Sequence, residues 1–90
     1  MAPVITTDLV VLEASGNYYL DTKTRPITIE LHQVSQNGSI MLHFQAGINP
    51  VFLQGKNTLI DGNEFVVWYG EIGKSICIIF RGREWKTCLM

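Results

Sequence analysis

Ninety residues with seven Lys and Arg, eight Asp and Glu and a net charge of −1 make one domain with a small core and no electrostatic reason to bind nucleic acid or an acidic membrane. Ten Ile, seven Val and seven Thr stand against three Ala. Branching at Cβ restricts χ1 and favours strands, so this composition argues against a helical fold and for an all-β one.

The chain starts with Val4 to Glu13, in which Leu9-Val10-Val11-Leu12 is a short apolar run. Residues 1–13 are read either as a first strand or as an N-terminal arm packing on a neighbouring subunit. Residues 14–90 form a single antiparallel β domain. The first eight residues carry an acid and no base, so no secretory leader is expected and synthesis in the cytoplasm is the expectation. No apolar run reaches the ~20 residues a membrane helix needs. Ala14 to Asn17 is a turn by composition, and Tyr18 to Leu20 a short strand that ends before Pro26.

Ile27-Thr28-Ile29-Glu30-Leu31-His32 alternates apolar and polar side chains, the mark of a half-buried strand. Gln33 to Gly38 is a polar connection. Ser39 to Phe44 repeats the alternation with Ile40, Leu42 and Phe44 inward. Val51 to Gln54 and Asn57 to Ile60 are expected as short strands, and Asp61-Gly62-Asn63 as a turn. No internal repeat stands out.

The C-terminal segment forms a hairpin. Gly82-Arg83 suits the two-residue type II′ connection, with glycine first. That register sets Arg81 opposite Glu84, Phe80 opposite Trp85, Ile78 opposite Thr87 and Cys77 opposite Cys88. Ile76, Ile78, Phe80, Trp85 and Leu89 then share the core face. The two opposed cysteines are expected as free thiols, because a direct cross-strand disulfide is strained and the cytosol is reducing.

Phe65 to Tyr69 and Ile76 to Phe80 put large side chains on both faces. One small domain has one interior, so the second face calls for a partner. The expected form is a homo-oligomer, with Leu9, Val11, Phe52, Trp68, Tyr69 and Ile79 at the interface with a second copy or another partner and Trp85 as a core anchor.

The chemistry-bearing residues form no recognisable site. His32 and His43, on the wet faces of neighbouring strands, lack a third ligand at zinc spacing, so no metal and no cofactor is expected. Asp61, Glu64 and Glu71 sit in or beside turns, where acids serve backbone bonding and solubility. There is no nucleophile elbow, phosphate loop or dinucleotide fingerprint, and no enzyme is expected. Trp68, Tyr69 or Trp85 could stack on sugars or single-stranded nucleic acid if solvent-exposed on one concave face, which is the alternative of a different class.

The order of blocks carries a resemblance. Ser15-Gly16-Asn17-Tyr18-Tyr19-Leu20-Asp21-Thr22 precedes Pro26-Ile27-Thr28-Ile29-Glu30-Leu31. Gly38 to Leu42, Asn49 to Leu53 and Thr58 to Gly62 follow, and Gly73 to Ile76 and Gly82-Arg83-Glu84-Trp85-Lys86 close the series. Over residues 14–88 the chain resembles a small β module of tailed-bacteriophage virion proteins, found in fibre and tailspike segments and as stand-alone capsid accessories. Short strands with regular turn signals read as a small β-sandwich or barrel, and the resemblance implies that it is antiparallel and trimeric, with a structural role and no catalytic residues. The expectation is a non-enzymatic capsid decoration (cement) protein in the virion, partnered by itself and by the major capsid protein or another virion protein. A short fibre or tail-attached trimer is the runner-up.

Overall fold

The structure, a computed structural model, describes residues 4–89. Nine strands occur among them: β1 (Val4–Ile5), β2 (Leu9–Val11), β3 (Asn17–Thr22), β4 (Ile27–His32), β5 (Gly38–Gly47), β6 (Val51–Lys56), β7 (Phe65–Trp68), β8 (Ser75–Arg81) and β9 (Glu84–Leu89). They form a five-stranded sheet in the order β1-β3-β5-β8-β9 and a four-stranded sheet in the order β2-β4-β6-β7. The two sheets pack over one core, as a sandwich and not a barrel.

The first six strands alternate between the sheets. The chain therefore winds three times around the core, each coil laying one strand in each sheet. Neighbouring strands of successive coils run parallel: β1 with β3, β3 with β5, β2 with β4 and β4 with β6. Only the last third reverses, with β7 antiparallel to β6, β8 to β5 and β9 to β8. Both sheets are thus mixed, which corrects the antiparallel expectation. A turn signal says that the chain reverses; it does not say in which sheet it lands. Two reversals, one into the opposite sheet and one back, restore the direction and set parallel neighbours.

The second and third coils stack with a fixed period. Asn17 pairs with Met41 and Ile27 with Val51, both 24 positions apart. A bulge after Leu20 moves the partner of Asp21 to Ala46, 25 positions on. The next connection, residues 48–50, is one residue shorter than residues 23–26, and the period returns. So an internal repeat exists that the sequence does not display. Stacking asks only for apolar side chains of suitable size at matched positions: Leu20 over Phe44, Ile27 over Val51, Ile29 over Leu53. Pro26 and Pro50 also match, each just before its strand, where a missing donor is tolerated.

Alternation decides burial. Ile27, Ile29 and Leu31 are wholly buried, as are Ile40 and Leu42, with Phe44 1% exposed. Val11, Leu53, Ile60, Ile76, Ile78, Phe80 and Trp85 complete much of the core. Each such side chain contributes ~1.5–3 kcal/mol of transfer free energy. Gly47 closes the β3–β5 ladder at φ +100°, where a Cβ would come within 2.4 Å of the Thr22 carbonyl carbon. Thr22 is buried there and its hydroxyl donates to the Ala46 carbonyl at 3.3 Å.

The terminal hairpin has the expected register, Cys77 opposite Cys88 and Phe80 opposite Trp85 included. Its turn differs. Gly82 and Arg83 both have positive φ, 65° and 74°, which is type I′ and not II′. The twist of I′ matches the flanking strands, and the Thr58 hydroxyl donates to the Arg83 carbonyl at 3.0 Å, holding the strained residue. Asn57 to Ile60 forms no strand; only Ile60 makes isolated bridges, to Asn63 and to Trp85.

Candidate assembly surface

Trp85 ties the two sheets together. It is fully buried, meets Phe80 edge-on at 5.1 Å between ring centroids, and donates its indole N–H to the His32 carbonyl at 3.0 Å. A ring so placed is closed to stacking on any ligand. Of the three rings the sugar or single-strand reading could use, Trp68 is half-buried and Tyr69, 78% exposed, is open to solvent.

The outer margins of the two sheets differ. In the five-stranded sheet β9 is covered: Trp85 N–H donates to the Leu59 carbonyl at 2.8 Å and Asp61 N–H to the Trp85 carbonyl at 2.9 Å. The Asp61 carboxylate then accepts from the Thr87 backbone N–H at 3.0 Å and from its hydroxyl. The four-stranded sheet ends at β2 on one side and β7 on the other. Among the described residues neither strand has a second strand partner, so each presents a row of backbone donors and acceptors.

Both free margins are apolar on the side facing away from the core. Val10 on β2 is 53% exposed and Phe65 on β7 51%. They lie in one cross-sheet row, Val10–Glu30–Gln54–Phe65, set by the strand register. The adjacent row carries Thr28, Phe52 and Val67, and the Phe52 and Phe65 rings stack at 5.5 Å. Between the margins β4 presents polar side chains on this face: Glu30 and His32 pair at 2.8 Å. Facing the core, Leu9 and Val66 close the row of Ile29 and Leu53, and both remain half-buried, because each has a neighbour on one side only.

The outer face of the five-stranded sheet is a different surface. His43 stacks on Tyr19 at 4.6 Å. Its Nδ1 meets the Ser75 hydroxyl at 2.7 Å and its Nε2 meets Asn17 Oδ1 at 3.0 Å. With the Asn17 amide oxygen accepting, His43 Nε2–H is the donor of that bond. The group borders a shallow groove of about 430 Å³ that also includes Ile72 and Lys74. His43 and His32 therefore stand on opposite sheets, not on neighbouring strands. Cys77 and Cys88 are free thiols on the His43 side.

The residues expected at an interface are placed unevenly. Leu9 is half-buried on the marginal strand β2, Phe52 half-buried on the interior strand β6, and Tyr69 is exposed just past β7. Trp68 points inward and meets Phe44 edge-on at 5.8 Å. Ile79 is half-buried on the other sheet. Val11 is 1% exposed and belongs to the core. Its partner is Leu31, so the inward face of β2 is fixed by the register with β4. Sequence reading missed Val10 and Phe65. Phe65 opens a run that is apolar at every position, and Val10 sits within another; period-2 patterning gives no parity in such runs.

Compared with protein-family models, with curated proteins and with solved structures, the chain matches none.

Proposed function

We propose that the chain is a non-enzymatic structural protein of a bacteriophage particle, a capsid decoration (cement) protein that acts as a homotrimer. The observation that carries this reading is the pair of apolar, strand-free margins on one sheet, which a single copy leaves in water. Covering such area stabilises an assembly by ~25 cal/mol per Å² before the cost of association. The order of sequence blocks over residues 14–88 supports the virion setting, and the burial of Trp85 is in keeping with its role as a packing anchor in that pattern. A decoration protein holds neighbouring capsomers by burying surface across their joints, which is work for flat, rigid sheets.

The test has two readouts. Light scattering on the purified chain is expected to give three times the monomer mass, and purified particles are expected to carry the protein in stoichiometric amount on the head. A monodisperse monomer absent from particles overturns the proposal. Labelling confined to the tail would replace decoration by a short fibre or tail-attached trimer.

A further inference from the structure

We infer that copies join head to tail through the four-stranded sheet, β2 of one copy pairing with β7 of the next, and that three such joints close the ring. The inference rests on the homotrimer proposed above and adds which edges meet.

A head-to-tail joint needs two different free edges on the same copy. The five-stranded sheet cannot supply them, because its β9 side is occupied by the 59–61 segment. The four-stranded sheet supplies both, at β2 and β7. Their directions also fit. β2 runs parallel to β4 and β6, while β7 runs antiparallel to β6. Copies related by rotation about an axis along the strands keep these directions, so β2 meets the next β7 as an antiparallel pair. That ladder closes by the hydrogen-bond pattern that β6 and β7 already use.

The side chains match row by row. Val10 and Phe65 share one row on the outer side, and Leu9 and Val66 share the next on the core side. Continuing the sheet in register places Val10 beside the partner subunit's Phe65 and Leu9 beside the partner subunit's Val66. Two exposed apolar half-patches become one, and two half-buried core residues gain their missing neighbour. Neither Leu9–Val11 nor Phe65–Trp68 contains a charged residue, so neither strand carries the charge that guards a native edge against pairing.

Cysteine pairing tests the joint. In a Cys77→Ser, Cys88→Ser background, the Val10→Cys, Phe65→Cys double variant is treated with a short bis-maleimide, which bridges opposed thiols without the strain of a direct cross-strand disulfide, and run on a denaturing gel. Covalent dimers and trimers are expected, with no larger species, and neither single variant is expected to cross-link. Trimers by light scattering without cross-linking in the double variant overturn the joint and leave the homotrimer standing. Dimers from Val10→Cys alone would show a two-fold joint and overturn it as well. A monomer at every concentration removes both. Val10→Glu gives a second readout: one-third of the mass with an unchanged circular dichroism spectrum. A Val10→Glu protein that stays trimeric sinks the inference. Absence from particles, with cross-linking intact, would remove decoration and keep the ring.

Discussion

Residues 4–56 and residues 57–89 build the same two sheets by opposite rules. In the first region the chain winds, and each strand lies beside one from the neighbouring coil, 24 positions away between the second and third coils. In the second it doubles back, and β8 and β9 meet across a two-residue turn. The cost of closing a loop grows with its length, so the coils depend on tertiary packing where the hairpin has local support. The difference teaches that equal burial does not mean equal self-sufficiency. Ile29 and Ile78 are both wholly covered, yet both ladder neighbours of Ile29, Leu9 and Leu53, lie 20 or more positions away. Ile78 has one distant neighbour, Ile40, and one, Thr87, only nine positions on.

The strongest test of that contrast is Trp85→Ala. It removes a large buried ring, at a cost of ~3–5 kcal/mol, and leaves the His32 carbonyl of the second coil without its donor. A domain of this size has ~5–15 kcal/mol in all. Chemical denaturation is expected to show one transition at much lower denaturant, both regions melting together. Coils that stayed folded after the hairpin melted would break the comparison by showing them to be self-sufficient.

Next in size is Gly47→Ala. The positive φ and the approach to Thr22 make it costly, at about 2–3 kcal/mol. Gly62→Ala sharpens the reading: φ is also positive, +80°, but a Cβ there meets nothing within 4 Å. It is expected to cost only ~1 kcal/mol. The difference in melting midpoint between the two isolates the contact between coils from backbone strain.

Asp61→Ala follows, removing two bonds to Thr87. The site is exposed, so about 1–1.5 kcal/mol is expected, with faster amide exchange at Thr87 and unchanged exchange at Ile29. The smallest effect is a gain. Arg83→Gly relieves a left-handed residue in the type I′ turn and is expected to stabilise by ~0.5–1 kcal/mol, read as a raised melting temperature.

The hairpin was legible because its partners are near in sequence. Gly82-Arg83 fixes the pairing of Phe80 with Trp85 by counting outward, although glycine in first place did not settle the turn type. The strand Ile27–His32 was legible too, since alternation needs no partner to be seen. The coils were not. Tyr18 over Leu42 and Ile29 over Leu53 require similar bulk and no shared identity, so nothing in the letters announces the stack. The candidate surface was half legible. Leu9 and Phe52 stand out as apolar residues in excess of one core. Val10 and Val11 exchange roles, because only the register with Glu30 and Leu31 says which of the two faces water.

The 24-residue winding also makes the molecule a ruler. An inserted copy of residues 33–56 would add one strand to each sheet, ~4.8 Å of length, without altering the covered margin at β9 or the open ones at β2 and β7. Thickness across the sandwich would stay the same. The width of both sheets could thus be tuned in fixed increments while the margins are left untouched.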